Sequence, residues 1–447
     1  MLVVDNQVFQ NWAKTFSCRP EQYVLAQSEA DVVEAVAAAR KAGRRVRVVG
    51  SGHSPSDIAC TTGTMININA LNRVVKVDSD ARQVTVEAGT TLQQLNELLD
   101  RLGWAMPNLG SISEQTIAGA ISTGTHGTGI EFGALATAIV DLRLVTASGE
   151  VLALSRTSSP DVFLAALCSL GCLGVITQVT IQAVPAFQIR AEQAPISFAD
   201  MIANFESLVR SADHVRFWWF PHTDNCIVWK GTRTSDPPQP SKINWLRDIF
   251  LGVHVYELSL YMSTLVPQLV PAINQRYFQR FFNKQLTTTD KSFKIFNFDC
   301  LFSQYVTEWA VEWSKAPEAL SRLKKFIEDN PEVVAHSPVE IRFVKRDDIH
   351  LSMSSGYDTC FIGIIMYRPY GKDVTKEKYW AGYEKIMEDL GGRPHWAKAH
   401  RLGPQELRKL YPKFDSFCAI RAKLDPDNVF VNDYIDRHLV SGLKAKL

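Results

Sequence analysis

The chain has 447 residues, of which 46% are hydrophobic, and its 48 lysine and arginine residues nearly balance its 47 aspartate and glutamate residues. This length exceeds what one hydrophobic core supports and predicts a globular protein of two or three domains, and the composition excludes a disordered chain. Because no net positive field or basic run is present, nucleic acid is not expected as a partner.

The cysteines and the N-terminal residues indicate that the chain begins inside the cell. The eight cysteines are scattered without a Cys-x-x-Cys pair, so we expect buried free thiols and neither a metal site nor a dense disulfide framework. The first residues, MLVVDNQVFQNWAK, lack a basic segment followed by a long apolar run. A cleaved signal peptide is therefore not expected, and the chain is predicted to begin in the cytosol.

Short helices and strands alternate in the first 180 residues. Ser28 and Asp31 are typical of a helix N-cap and first turn, and Gly43 is typical of a helix end. Alternating apolar residues predict strands, and helical spacing predicts a second helix; these segments are 44–50, 65–69 and 83–89 for the strands and 91–102 for the helix. The region is therefore predicted to be α+β.

Three segments rich in glycine, serine and threonine interrupt these elements: VVGSGHSPSD (48–57), NLGSISEQTIAGAISTGTHGTG (108–129) and LGCLGVITQVTI (170–181). The first lacks the third glycine of G-x-G-x-x-G and carries Pro55, which argues against the usual dinucleotide fold. The chain also has no G-K-S/T motif. Each segment alone fits a plain turn, but together they predict a cradle whose backbone amides hold a pyrophosphate.

From about Ala183 the sequence becomes richer in aromatic residues, which predicts a second domain, and SDPPQPSK (235–242) predicts an exposed loop. Residues 249–273 are apolar but carry two prolines and ionisable side chains, so they are a poor bilayer span. Two alternatives remain for them. They form either a surface-lying membrane contact beside the basic residues of 276–284, or a buried helical hairpin.

Glu340 and Arg342, in PVEIRF, lie two residues apart on a predicted strand and therefore project from the same face. By itself this spacing fits an ordinary surface ion pair.

Six motifs together resemble the aldonolactone oxidases of the vanillyl-alcohol-oxidase flavoprotein superfamily: GSGHSPSDIACT, NLGSIS with GTHGTG, GCLGVI, VEIRF, IIMYRPYGKD and GGRPHWAKAH. The resemblance extends from residue 10 to residue 434. It implies an α+β fold with a PCMH-type FAD-binding domain over 1–182 and an α+β cap domain for the substrate over 183–400. The C-terminal segment, 401–447, is then expected to return to the first domain.

The resemblance implies FAD as the cofactor, bound covalently through His53 to the C8α methyl group of its flavin. A neutral imidazole is a competent nucleophile for such a bond. Gly110 is expected to leave space for O2 near flavin C4a. The further cofactor-binding residues that the resemblance implies are Val49, Gly50, Ser51, Gly52, Ser54, Pro55, Ser111, Thr116, Gly119, Thr123, Gly124, Thr125, His126, Gly174, Val175 and Ile176.

The resemblance also implies a catalytic set of Glu340, Arg342, Lys398 and Ser111. An arginine fork grips lactone oxygens and stabilises developing negative charge, while Glu340 orients it or the substrate hydroxyls. Lys398 would lower the pKa of a substrate hydroxyl. For His395 and His400, a functional role and a purely structural role both remain open.

The implied reaction is oxidation of the C2 hydroxyl of L-gulono-1,4-lactone by O2, giving H2O2 and a 2-keto lactone that isomerises to ascorbate. Small-molecule lactone and O2 are thus the expected partners. The animal members of the family imply the endoplasmic reticulum membrane as the location, with surface contact through about 249–282. Alternatives are an enzyme for galactono- or arabinono-lactone or another polyol, acting as oxidase or dehydrogenase, and a catalytically silent, flavin-carrying or membrane-tethered binding protein.

Overall fold

A computed structural model describes residues 1–4, 6–239, 245–298, 302–336 and 338–441. The strands of the first part are β1 (Leu2–Val4), β2 (Phe9–Gln10), β3 (Ser17–Cys18), β4 (Gln22–Leu25), β5 (Val46–Val49), β6 (Thr64–Asn67), β7 (Val74–Asp78), β8 (Gln83–Glu87), β9 (Trp104–Ala105), β10 (Ile139–Val145), β11 (Val151–Ser155), β12 (Val175–Gln182) and β13 (Val184–Pro185). Its helices are α1 (Glu29–Lys41), α2 (Leu92–Arg101), α3 (Ile117–Ser122) and α4 (Pro160–Ala166).

Two sheets organise this first part. One has the order β1-β4-β6-β5, in which β6 pairs in parallel with β4 and β5, and the other is antiparallel with the order β11-β10-β12-β8-β7. The predicted helix starts are confirmed, because Ser28 caps α1 by accepting from the backbone of Asp31 and Thr91 forms a capping box with Gln94. The three predicted strands correspond to β5, β6 and β8, so the α+β prediction for this region is confirmed.

The second part is built on one antiparallel sheet of eight strands. Its strands are β14 (Gln188–Ser197), β15 (His214–Trp219), β16 (Asn225–Thr234), β17 (Leu286–Lys291), β18 (Gln304–Glu312), β19 (Val339–Val344), β20 (Thr359–Tyr367) and β21 (Arg393–Pro394), in the order β17-β14-β16-β15-β19-β20-β18-β21. Its helices are α5 (Phe198–Ala203), α6 (Phe205–Val209), α7 (Tyr256–Ser263), α8 (Val270–Phe281), α9 (Ser292–Phe296), α10 (Ala316–Asp329) and α11 (Glu377–Asp389). We call residues 188–394 the cap sheet region.

Three helices follow the cap sheet region: α12 (Pro404–Leu410), α13 (Phe414–Leu424) and α14 (Asp433–Ile435). The chain here contacts the first part at β5 and at the loop after it. The backbone N–H of Val46 donates to Val429 O at 2.7 Å, Asn432 Nδ2 donates to Cys60 O at 2.8 Å, and Arg437 pairs with Asp57 at 2.8 Å. These contacts fix the loop that carries His53.

The apolar stretch between β16 and β17 combines features of both alternatives proposed for it. Trp245–Val255 forms a π-helical segment that runs into α7, and residues such as Tyr256 and Leu260 are buried against the cap. Its opposite side exposes a row of large apolar side chains: Trp245, Leu246, Phe250, Leu258, Met262, Leu265, Val266 and Leu269. Within the described ranges, no helix is both long enough and apolar enough to cross a bilayer.

The expectation of buried free thiols is partly wrong. All seven cysteines of the described ranges are free, but only Cys168, Cys172, Cys226 and Cys360 are buried. The others, Cys18, Cys60 and Cys418, are half-buried because they lie at the edges of the packed core. Cys300 lies outside the described residues, as do residues 240–242 of the predicted loop, whose described part, 235–239, is exposed.

Candidate functional site

The glycine-rich segments meet around one cleft in the first part of the chain. The first segment directly follows β5, the second includes α3, and the third leads into β12. The cleft, which we call the glycine cleft, contains most of the residues predicted to bind the cofactor: Val49, Gly50, Ser51, Gly52, His53, Ser54, Thr116, Gly119, Thr123, Gly174, Val175 and Ile176.

The glycine cleft requires a residue without a side chain at Gly50. A Cβ atom there would lie 2.1 Å from Thr116 Oγ1, so only glycine allows the two segments to approach this closely. The Thr116 hydroxyl is buried and has no hydrogen-bond partner within the described structure. An unsatisfied buried donor beside a narrow backbone cradle fits the phosphate oxygens of an extended nucleotide cofactor.

Arg47 adds a buried positive charge to the glycine cleft, and the sequence analysis missed it. Its guanidinium donates to the carbonyls of Leu170, Gly171 and Phe430 at 2.9 to 3.1 Å, which ties the third glycine segment to the C-terminal part. Burial lowers the pKa of Arg47 to about 10, still far above neutrality. A cationic side chain within an alternating apolar strand was the available signal.

His53 lies where the glycine cleft opens into a second cavity, and it lines both. Its ring stacks on Trp12 with centroids 5.8 Å apart, and its Nδ1 is buried without a hydrogen-bond partner. Burial lowers the pKa of His53, which keeps the ring neutral near pH 7. The ring is therefore held in place and neutral, and among the described residues its Nδ1 has no hydrogen-bond partner.

The second cavity, of about 360 Å3, lies between the glycine segments and the cap sheet region; we call it the cap cavity. The predicted residues that line it are His53, Pro55, Gly110, Ser111, Thr125, His126, Glu340, Arg342 and Lys398. Gly124 lines neither cavity and lies beside the side chain of Met353. The residues implied for the cofactor and those implied for the substrate are thus brought together around His53.

Glu340 and Arg342 project from the same face of β19 into the cap cavity, and the surface reading of this pair is wrong. Their side chains are only 16% and 13% exposed, with Arg342 Nε 3.5 Å from Glu340 Oε2. Trp218 Nε1 donates to Glu340 Oε1 at 3.4 Å. Although burial opposes it, the two neighbouring carboxylates Glu340 and Glu308 raise the pKa of Arg342 above its ordinary value, so the guanidinium stays charged.

Glu308 on β18 is the second carboxylate and was missed by the sequence analysis. Its Oε1 accepts a 2.6 Å hydrogen bond from Arg342 Nη2. Glu340, Gly363 and Glu308 form one row across β19, β20 and β18. Gly363, which has no side chain, lies between the two carboxylates in this row. A carboxylate within the mostly apolar strand segment 305–311 was the available signal.

Two histidines complete the floor of the cap cavity beside Glu308. His126 Nε2 lies 3.5 Å from Glu308 Oε1, and the rings of His126 and His395 have centroids 5.6 Å apart. Lys398 also lines the cavity. Burial is the main cause that lowers the pKa of His395, and the positive charge of Lys398 lowers it further. His400 lies elsewhere, with its ring 4.1 Å from that of His438.

The loop that carries Gly110 and Ser111 is fixed by the cap sheet region. Asn297 Nδ2 donates to Gly110 O at 2.9 Å, and the backbone N–H of Phe298 donates to Ser111 O at 3.0 Å. A Cβ atom on Gly110 would lie 3.1 Å from His126 O, closer than most side-chain contacts. These hydrogen bonds therefore hold the loop against the cap sheet region where it lines the cap cavity.

Comparison with known proteins agrees with this arrangement. The profile of the D-arabinono-1,4-lactone oxidase family matches residues 179–438, and that of an FAD binding domain matches residues 20–155. The chain is 48% identical to L-gulonolactone oxidase of Bos taurus over 96% of this chain and 97% of that one. It is 38% identical to L-gulono-1,4-lactone dehydrogenase of Mycobacterium tuberculosis over 97% and 99%. A solved structure of a solvent-stable cholesterol oxidase shares the fold, with a TM-score of 0.80 at 19% identity over 96% and 97% of the two chains.

Proposed function

The chain belongs to the family of the L-gulonolactone and D-arabinono-1,4-lactone oxidases and contains an FAD-binding domain, and from this premise we propose that it oxidises the C2 hydroxyl of L-gulono-1,4-lactone. The products are H2O2 and a 2-keto lactone that isomerises to ascorbate. The observation that carries the proposal is the buried guanidinium of Arg342, held between Glu340 and Glu308 and facing the cavity that His53 also lines.

The residues of the glycine cleft fit FAD. Its backbone amides and the unpaired Thr116 hydroxyl are placed to hold the pyrophosphate, and Arg47 contributes a positive charge at the same cleft. When bound, FAD supplies the two-electron oxidation of the carbinol and passes the electrons to O2. Side chains of the cap cavity bind and orient the lactone.

Arg342 is the group that binds and polarises the lactone. Its charge is permanent and its N–H groups form a rigid fork, which suits the carbonyl and hydroxyl oxygens of an aldonolactone. The alkoxide that forms as the C2 hydroxyl loses its proton is stabilised by Arg342 and Lys398, which line the same cavity. Glu340 accepts hydrogen bonds from the remaining hydroxyls, Ser111 accepts or donates one, and the two residues so orient the ring.

His53 is the residue that we propose forms the covalent bond to the flavin. Three features support this: burial lowers the pKa of His53 and so favours the neutral ring, Nδ1 has no hydrogen-bond partner among the described residues, and the ring lines both the glycine cleft and the cap cavity. A covalent bond at this point fixes the cofactor at the boundary between both cavities and raises its redox potential.

Within the same family, a different lactone and a different electron acceptor are close alternatives. The matching family profile is named for D-arabinono-1,4-lactone, and one relative at 38% identity is named a dehydrogenase. The identity of 48% to an L-gulonolactone oxidase favours O2 as the acceptor. A panel of L-gulono-, L-galactono- and D-arabinono-1,4-lactone, each assayed with O2 and with a dye acceptor, distinguishes these activities.

The exposed apolar row of residues 245–269 supports association with a membrane surface. Its aromatic and aliphatic side chains are exposed beside the exposed basic residues Arg276, Arg280 and Lys284, a combination that suits anionic headgroups. Co-sedimentation with vesicles of phosphatidylcholine and phosphatidylserine tests this contact, and Trp245→Ser with Leu246→Ser should abolish it. The endoplasmic reticulum as the compartment rests on the resemblance to the animal enzymes and stays a prediction.

A further inference from the structure

Glu308 and Glu340 contact different nitrogens of the Arg342 guanidinium, and the contact of Glu308 is the shorter of the two. Oε1 of Glu308 accepts from Arg342 Nη2 at 2.6 Å, whereas Glu340 Oε2 lies 3.5 Å from Nε. The Glu308 side chain is only 5% exposed. A charge-assisted hydrogen bond this short and this buried is strong and directional, so Glu308 determines where Arg342 points.

His126 presents an unprotonated nitrogen to the same carboxylate. Its Nδ1 lies 2.9 Å from Gly127 O, and because a carbonyl oxygen only accepts, Nδ1 carries the ring proton. In the neutral ring, Nε2 then carries a lone pair. This nitrogen is buried, has no hydrogen-bond partner among the described residues, and lies 3.5 Å from Glu308 Oε1. Two acceptors therefore face each other, and they attract only when the ring gains a second proton.

The surrounding charges keep His126 neutral and Glu308 ionised at neutral pH. Burial and then Arg342 lower the pKa of His126, with Glu308 acting in the opposite direction. Burial opposes ionisation of Glu308, but the positive charge of Arg342 outweighs it and holds the pKa of this carboxyl well below its usual range. The other titratable groups that face the cluster are Arg216 from β15, Glu340 from β19, His395 and Lys398 from the segment after β21, and Tyr383 from α11.

A metal ion is the competing interpretation of this cluster. His126, Glu308 and His395 each offer a ligand atom, and these atoms lie within 4.8 Å of one another. However, Arg342 already donates to Glu308 Oε1, so a divalent ion at this position would lie beside a guanidinium and be repelled by it. The geometry therefore favours a hydrogen-bonded charge network.

We propose that Glu308 is the positioning residue for Arg342 and that His126 controls it by competition. A neutral His126 leaves the Glu308 carboxylate to Arg342, and a protonated His126 draws the carboxylate towards itself. The inference rests on the proposed function, because Arg342 is the residue that holds the lactone. It assigns roles to two residues outside the Glu-x-Arg pair, and it predicts one protonation that disables substrate binding without affecting FAD.

The test uses the FAD-containing full-length enzyme and three substitutions. Glu308→Gln retains an oxygen that accepts from Arg342 but removes the charge, and Glu308→Asp retains the charge but shortens the reach. His126→Asn keeps a donor for Gly127 O but cannot be protonated. The matched control is Glu384→Gln, since Glu384 is equally buried and pairs with Arg401 at 2.8 Å outside the cap cavity.

Two quantities are measured: kcat/KM for L-gulono-1,4-lactone as a function of pH, and the calorimetric Kd of the 2-deoxy analogue, which has no C2 hydroxyl to oxidise. Misplacement of Arg342 in both Glu308 variants should lower kcat/KM about 100-fold and raise the Kd of the analogue about tenfold, while the FAD content stays unchanged. The wild type should lose kcat/KM on the acid side as one proton binds, and His126→Asn should lack this acid limb. Glu384→Gln should behave as the wild type.

Wild-type kcat/KM and Kd in Glu308→Gln would overturn the positioning role, and an unchanged acid limb in His126→Asn would overturn the competition. If both Glu308 variants fail to retain FAD, His126→Asn decides, because it leaves the contact between Arg342 and Glu308 in place. A wild-type enzyme that holds FAD but oxidises no lactone would instead overturn the proposed function.

Discussion

Arg342 Nη2 and Glu308 Oε1 lie 2.6 Å apart, although the two residues are 34 positions apart in the sequence. The sheet explains this contact, because Glu308 and Glu340 both pair with Gly363 on the strand between them. The glycine leaves open the space that a side chain would occupy between the two carboxylates. The strands therefore bring one cationic side chain, Arg342, into contact with two carboxylates, Glu308 and Glu340, in the lining of the cap cavity.

Replacement of Arg342 should abolish most activity without loss of the cofactor. Arg342→Ala removes the charge that stabilises the developing alkoxide, and kcat/KM should fall by about 1,000-fold. Arg342→Lys retains a charge but not the fork, and should recover only part of the loss. Steady-state kinetics at matched FAD content measures both, and near-normal turnover of Arg342→Ala would contradict the assigned role.

Gly363 sets the size of the substrate site. A Cβ atom there would lie 3.7 Å from Glu308 Cγ, an ordinary contact, so Gly363→Val should fold. The two added methyl groups of valine occupy space above the carboxylates, and KM for the lactone should rise roughly tenfold or more. Gly363→Ala is the smaller control. Equal KM values for all three enzymes would show that the substrate does not approach this strand.

Gly110 should control the reaction with O2. A methyl group there would lie 3.1 Å from His126 O and 3.4 Å from Thr125 Cγ2, and it would fill space where Gly110 lines the cap cavity. In Gly110→Ala, reoxidation by O2 should slow on the order of tenfold, while anaerobic reduction by lactone stays unchanged. Stopped-flow absorbance separates the two half-reactions. If both slow equally, the residue affects the site generally and not O2 access.

Buried histidines should make the fold sensitive to acid. Burial lowers the pKa of His214, His336 and His438 to about 4, below the ordinary value of about 6.5. The unfolded chain therefore binds these protons first, so their contribution to stability is complete above pH 6.5 and is lost as pH falls towards 4. The free energy of unfolding should fall by about 1.4 kcal/mol per pH unit for each histidine. Urea unfolding at several pH values measures the slope, and a flat profile from pH 6.5 to 4.5 would contradict it.

Local sequence signals predicted much of the fold. The capping residues Ser28 and Thr91 sit at real helix starts, and the alternation at 44–50, 65–69 and 83–89 matches strands. These features are local, because a cap or an alternating strand depends on neighbouring residues only. The eight-stranded cap sheet was not predicted, since the order of its strands depends on long-range pairing.

The site shows the same division. His53, Glu340 and Arg342 carry motifs that identify them, and the structure brings all three to one cavity. Glu308 and Arg47 have no motif, and their roles follow only from the strands that place them next to distant residues. The surface interpretation of Glu340 and Arg342 was wrong for a related reason, since the spacing that puts two side chains on one face does not reveal whether that face is buried.

The visible spectrum before and after acid precipitation tests whether the protein is a lactone oxidase whose flavin is bonded to His53. For the wild type, yellow colour should remain in the pellet, and the native enzyme should bleach when L-gulono-1,4-lactone is added without O2. His53→Ala should release its colour into the supernatant. Colour that leaves the wild-type pellet would contradict the covalent bond, and a native enzyme that stays yellow with the lactone would contradict the substrate.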